Sequence, residues 1–327
     1  MKTINVSVQG EYELSATVTI PENGYEQHPA AVIVGGTGAA DRDGNIKGFQ
    51  MNIYKELAEF LSSLGFVTLR YDKRGIAKSK GDAYKTGMLD LVDDVISQVD
   101  FLRSLSYVNS DRIVLVGHSE GCILTTIANA KSPVAGLILL AGAGSSLKTA
   151  MQYQNRALVE EVKSMRGFKG LLLRKLVSEK KVIEKQNKLF DTILASKEDV
   201  IKLQLKKFPA KWLREHLSYT DDAILQLLQE TACPVLAVTG EKDVQANAAD
   251  LKALESLGKD NIHCHVVKDM DHMLREYTEE KSVLNVKKQY KNQIGKPMHP
   301  RLKKEIEKWC VRQVPVTPRF LSNAKSQ

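Results

Sequence analysis

Ile113-Val114-Leu115-Val116-Gly117-His118-Ser119-Glu120-Gly121-Cys122 decides the reading of this chain: an apolar run, then Gly-His-Ser-Glu-Gly, then a helix-like stretch from Cys122 to Ala130. A short continuous apolar run bounded by glycine reads as a buried strand. Passing from that strand into a helix within so few residues sets Ser119 on a sharp turn in an unfavourable backbone conformation. Gly117 and Gly121 leave space where bulkier neighbours would collide with the strand or the helix. A serine so placed is a nucleophile elbow. The same pentapeptide arises by chance, and a serine capping an ordinary helix is the competing reading. A serine hydroxyl is a poor nucleophile without a base, and the base needs an orienting group, so the rest of the chain must supply both.

Residues of both types follow. Val235-Leu236-Ala237-Val238-Thr239-Gly240 reads as a buried strand, with Glu241-Lys242-Asp243 just beyond it. Residues 262–267 alternate like a strand and lead into Lys268-Asp269-Met270-Asp271-His272. Serine, aspartate and histidine therefore appear in that order, each in the loop after a predicted strand.

With the loop Gly35-Gly36-Thr37-Gly38-Ala39-Ala40-Asp41-Arg42-Asp43-Gly44-Asn45 and the turn Tyr71-Asp72-Lys73-Arg74-Gly75, these landmarks resemble those of α/β-hydrolases. The resemblance is closer to bacterial serine esterases with a helical cap, and it covers roughly residues 10 to 312. It implies Ser119 as nucleophile, His272 as general base and Asp243 as the acid orienting it. Asp269 and Asp271 would have to fold back along the loop of His272, and Asp250 falls in the following helix, so the fold template favours Asp243. An acyl-transfer site also needs oxyanion donors. The template points to the backbone N–H of Glu120 and to one from the glycine-rich loop, Thr37 first and Gly38 as the alternative. Gly35-Gly36-Thr37-Gly38 lacks the Walker lysine pattern and the dinucleotide spacing, which sets aside a nucleotide cradle. Asp41, Arg42 and Asp43 read as a structural loop that pins the oxyanion segment through Arg42, or through Lys73 and Arg74 of the neighbouring turn.

Strands are expected at 3–8 and 11–20 as an antiparallel ribbon, then at 31–34, 66–71, 112–116, 134–140, 235–239 and 262–267. Helices are expected near 51–64, 88–105, 122–130 and 246–257. That alternation implies the α/β-hydrolase fold, a mostly parallel central sheet with helices on both faces. A last helix over 300–312, with Leu302, Ile306 and Trp309 on one side, covers the sheet. About ninety residues separate the strand ending near 141 from the one beginning near 233, far more than a crossover needs. Helical spacings and a single proline, Pro209, predict an inserted helical cap there. The expected boundaries are core at 1–145, cap insertion at 146–230, core again at 231–313 and a loosely held tail at 314–327. Leu171, Leu172, Leu173, Leu176 and Val177 are expected in the core of the cap, with packing on the body or lining of an acyl pocket as the alternatives.

At 327 residues, 43% hydrophobic and 26% charged, the chain is an ordinary globular enzyme by composition, one hydrolase domain with an insertion. No apolar stretch approaches a membrane span and the first residues lack a signal-peptide core, so a cytoplasmic location without stable membrane insertion is expected. A formal charge of +8 raises nucleic acid or anionic lipid as partners. Acidic residues interleave with the lysines of the insertion, aromatics are 6%, and there is no nucleic-acid motif, which favours a solvated helical face. Cys122, Cys233, Cys264 and Cys310 lack metal-type spacing and read as buried thiols. His263 and His265 share a strand face without a third ligand and read as structural. His118 is expected beside the site, while His28, His216 and His299 default to surface roles. No metal or cofactor is expected.

The function these residues imply is hydrolysis of carboxylic esters, of small to medium acyl chain, through an acyl-serine, with a small-molecule ester as the partner. A peptidase, thioesterase or amidase would use the same triad. A non-catalytic ligand-binding protein that keeps the hydrolase shell is the alternative of another class. Acyl length, alcohol and oligomeric state have no readable motif.

Overall fold

Strands, helices and turns are described for residues 1–314 of the computed structural model, the side chain of Lys169 excepted; of the loosely held tail expected at 314–327, Val314 is instead buried in the core, and 315–327 lie outside the described residues. The chain opens with β1 (Lys2–Gln9) and β2 (Glu13–Ile20), the expected antiparallel ribbon. Alternation follows: β3 (His28–Val34), α1 (Ile53–Ser63), β4 (Val67–Tyr71), α2 (Met88–Arg103), β5 (Val108–His118), α3 (Glu120–Lys131) and β6 (Gly136–Leu140). An insertion then carries α4 (Leu147–Ser164), α5 (Gly167–Leu176), α6 (Glu179–Ala195), β7 (Val200–Leu203), β8 (Lys206–Pro209) and α7 (Ala210–Ser218). The chain returns through α8 (Asp221–Glu230), β9 (Val235–Gly240), α9 (Leu251–Glu255), β10 (Ile262–Val267), α10 (Val286–Lys291) and α11 (Pro300–Gln313).

Eight strands form one sheet in the order β1-β2-β4-β3-β5-β6-β9-β10, parallel from β4 to β10. Its central strands are apolar throughout because successive side chains point to opposite faces and both faces are covered. Along β5, Ile113 and Leu115 join the core under α2 and α3, whereas Val114 and Val116 join the core under α1 and α11. Leu302, Ile306 and Trp309 of α11 are buried in that second core, as their spacing implied.

The insertion differs from its sequence reading in three ways. Residues 200–209 form a two-stranded hairpin, not helix. Helix α8 buries Ile224 and Leu228 in the main core, so it is the crossover to β9 and the insertion proper closes ahead of it. Leu171, Leu172 and Leu176 are exposed, not packed; the small core of the insertion is instead Phe190, Ile193, Ala210 and Leu213. At the neck, Asp221 accepts the Ser146 N–H at 2.7 Å and the Thr149 hydroxyl at 2.7 Å, joining the two ends of the insertion.

Elsewhere, the helix expected over 246–257 starts as a 3-10 turn, Ala248–Asp250, before α9. Cys122 and Cys310 are buried, whereas Cys233 and Cys264 are half-buried: Cys264 lies on the edge strand β10 and Cys233 in the loop before β9. Among the described residues no helix is long and apolar enough to cross a membrane.

Candidate active site

Strand β5 ends at His118 and α3 begins at Glu120, which leaves Ser119 at φ 56° and ψ −121° between them. A β-carbon at Gly117 would stand 2.3 Å from the Gly121 carbonyl oxygen, and one at Gly121 would stand 2.2 Å from that of Val34. Neither clash can be relieved by a rotamer, since both involve backbone, so only glycine permits the turn. Ser119 donates its N–H to the Leu140 carbonyl at 2.9 Å, tying the elbow to the end of β6.

The loops after β9 and β10 bring Asp243 and His272 together, with His272 Nδ1 2.8 Å from Asp243 Oδ2 and both side chains buried. The other Asp243 oxygen accepts the N–H groups of Gln245 and Ala246 at 2.7 and 2.8 Å. A carboxylate that only accepts fixes the imidazole proton on Nδ1 and leaves Nε2 free to take another. Burial alone would lower the His272 pKa, but the charge and hydrogen bond of Asp243, helped by Asp271, raise it above the ordinary value. Asp271 itself accepts from Gln289 and from the N–H groups of Met273 and Arg275, shaping its own loop, and Asp250 is bonded to Asn247.

Ser119, His118, Glu120, Thr37 and His272 all line one cavity of about 630 Å³. Ile123, Met151, Leu189, Phe208, Leu213 and Met273 give it apolar walls. Its floor approaches the serine closely: a β-carbon on Gly36 would lie 2.9 Å from that of Ser119. Of the two loop donors expected, Thr37 lines the cavity, while the N–H of the preceding Gly36 is spent on the Tyr54 hydroxyl at 2.8 Å.

That hydroxyl begins a relay the sequence did not disclose. Tyr54 Oη lies 3.0 Å from His118 Nδ1, and His118 Nε2 lies 2.8 Å from the His272 carbonyl. A carbonyl can only accept, so Nε2 carries the His118 proton and Nδ1 accepts from Tyr54. Burial, then the neighbouring His272, pushes the His118 pKa down to about 3 and keeps the ring neutral. The glycine-rich loop after β3, the elbow and the histidine loop are thereby held by one chain of hydrogen bonds.

Glu120 contributes a second, charged cluster. Its buried carboxylate takes Lys73 Nζ at 2.7 Å, Trp212 Nε1 at 2.6 Å and His216 Nε2 at 2.9 Å. Burial would raise the Glu120 pKa, but the Lys73 charge and the His216 hydrogen bond outweigh it and hold the carboxyl far below the usual range. Lys73 also donates to the Gly36 carbonyl at 2.7 Å, so one ammonium spans the glycine-rich loop and the residue after the serine. His216 is therefore not a surface residue; it is buried, as are His28 at the start of β3 and His299, which caps α11. Trp212 and His216, one helical turn apart on α7, could have been found from that spacing; nothing in the sequence marks Tyr54.

The acidic loop is structural in its contacts. Arg42 pairs with Asp72 at 2.6 Å, Asp43 with Arg70 at 2.6 Å, and Asp41 accepts the N–H groups of Asp43 and Asn45. Arg74 turns away, to Asp94 and Glu11. His265 faces Glu305 at 3.7 Å, and among the described residues no three His, Cys, Asp or Glu side chains converge as metal ligands.

Comparison with known proteins agrees with this frame. The family profile Hydrolase_4 (serine aminopeptidase, S33) matches residues 47–279, which include all three of Ser119, Asp243 and His272. Esterase EstD of Thermotoga maritima is 27% identical over 274 residues, a stretch that is 83% of this chain and 59% of that protein. The chain thus spans less than two-thirds of that relative. Est1E from Butyrivibrio proteoclasticus, solved with ferulic acid bound, superposes with a TM-score of 0.56 at 18% identity, over 88% of this chain and 96% of that one. Proline iminopeptidase from Mycobacterium smegmatis superposes with a TM-score of 0.58 at 12% identity, over 95% and 98%. These structural likenesses establish the α/β-hydrolase fold.

Proposed function

Because the chain belongs to the Hydrolase_4 (serine aminopeptidase, S33) family, we propose that it is a serine carboxylesterase acting on small to medium acyl esters. Support comes above all from the Asp243–His272 pair, 2.8 Å apart, opening on the cavity that Ser119 lines from its strained turn. In this reading His272 Nε2 takes the Ser119 proton as the hydroxyl oxygen bonds to the ester carbonyl carbon. The carbonyl electron pair moves onto oxygen, where the N–H groups of Glu120 and Thr37 (or Gly38) receive it. Collapse breaks the bond to the alkoxy group, which leaves as alcohol with the proton from His272. Water then gives a proton to His272, attacks the acyl-serine, and releases the acid while Ser119 regains its proton. Residues 146–220, the insertion ahead of α8, act as the cap, with Leu189, Phe208, Trp212 and Leu213 roofing the acyl group.

An aminopeptidase is supported less. An N-terminal ammonium calls for a free carboxylate in the cavity, and among the described residues its only carboxylate, Glu120, is already neutralised by Lys73. The test is reaction with a fluorophosphonate and mapping of the modified residue, beside a panel of acyl esters, thioesters and aminoacyl amides. Label on Ser119 and turnover of esters are expected; folded protein that takes no label, or cleaves only the amides, overturns the reading.

A further inference from the structure

Helix α5 turns an apolar stripe towards solvent. Phe168, Leu171, Leu172 and Leu176 stand at i, i+3, i+4 and i+8, one face of a helix. They are 80, 51, 51 and 64% exposed, although burial is the ordinary fate of such side chains. Its inward side includes buried Gly170, which packs against the carbonyl of Met165 in the turn leading from α4. Exposed cations lie along the same segment: Arg166, Arg174 and Lys175, then Lys180 and Lys181 at the start of α6, with Arg174 also donating to the Met165 carbonyl and Lys181 to that of Lys175. Few acids answer them. Glu179 is paired with Lys163, and Glu184 stands 3.9 Å from Lys180; among the described residues Arg166, Arg174, Lys175 and Lys181 have no carboxylate in ion-pair reach.

We propose that α5 is an interfacial helix that docks this chain reversibly on an anionic lipid surface. The apolar stripe enters the headgroup and acyl boundary, and the cations lie among the phosphates. Lys175 falls within the stripe, where its long stem lies along apolar surface while the ammonium reaches outward. A second copy of the chain fits the face poorly, because it would set these cations against their own counterparts. A net charge of +8 adds long-range attraction to the same surface. The proposal is independent of the catalytic reading.

The test is co-sedimentation of the full chain with vesicles of phosphatidylcholine alone and of phosphatidylcholine mixed with phosphatidylglycerol. Pelleting with the mixed vesicles only, weakening as salt is raised, is expected. Phe168→Asp/Leu172→Asp and Arg174→Gln/Lys175→Gln should each lower partitioning on the order of tenfold. Circular dichroism and thermal melting should match the parent, and the second pair keeps the idea testable if the first unfolds α5. Four results overturn it: no pelleting with either vesicle, equal pelleting with both, full pelleting of both variants, or a dimer in size exclusion that Phe168→Asp/Leu172→Asp converts to monomer without vesicle binding. The last would assign the face to a second copy.

Discussion

Tyr54 Oη joins the glycine-rich loop after β3 to the elbow, and His118 carries the link on to the carbonyl of His272. Tyr54→Phe leaves the Gly36 N–H and His118 Nδ1 without partners, and the expected cost is about 1–3 kcal/mol of stability in urea unfolding. The misplaced donors should lower kcat by about ten- to a hundredfold at nearly constant KM; a change confined to KM would contradict the positioning role. Asp243→Asn should cost about ten-thousandfold in kcat, since the imidazole loses the tautomer its carboxylate enforces. In the proposed mechanism His272 must be unprotonated to act as base, and its pKa is raised, so kcat/KM should climb with pH through a midpoint above 6.5. In Asp243→Asn the two raising influences of Asp243 vanish and that midpoint should fall; an unmoved midpoint would assign the titration to another group. The placement of Ser119, Asp243 and His272 at one cavity was legible because each sits in the loop just after an apolar run. Tyr54 was not, because its importance depends on which loops meet in space.

Helix α7 is fastened to the body by polar groups on successive turns. Glu215 accepts the Leu89 N–H at the start of α2, Lys211 pairs with Asp90 at 2.7 Å, and Trp212 and His216 reach Glu120. Lys73→Met strips the buried Glu120 carboxylate of its cation, and a loss of about 3–5 kcal/mol in urea unfolding is expected. A loss below about 1 kcal/mol would mean that water reaches the carboxylate. The strands of the sheet were readable as continuous apolar runs, but the hairpin β7–β8 was not: its turn, Gln204-Leu205, carries no turn-forming residue. Both residues nonetheless take positive φ, 48° and 66°. Replacing them with Asn-Gly should stabilise the chain by about 1–2 kcal/mol, seen as a higher melting temperature. For α5, periodicity disclosed an apolar face; what that face meets is not a property of one helix.

Across the whole molecule, two histidines at the site bound the pH range of stability from opposite sides. His118 is held down to about 3 when folded but titrates near 6.5 when unfolded, so the unfolded chain gains the proton first. Stability should therefore fall as pH drops from about 6.5 towards 3, by about 1.4 kcal/mol per unit from this group. His272, with its pKa raised, contributes stability that is complete below its unfolded value and is lost as pH rises through its folded one. Denaturant midpoints across this range, for the parent and for His118→Asn, check the first slope; the variant should be flatter. The bond from Ser146 to Asp221 has a different consequence. A stretch that departs and returns at a single carboxylate is a cassette: an insertion of another shape can be spliced between Ser146 and Thr220 without rethreading a strand, which would change the walls of the Ser119 cavity above an unaltered floor.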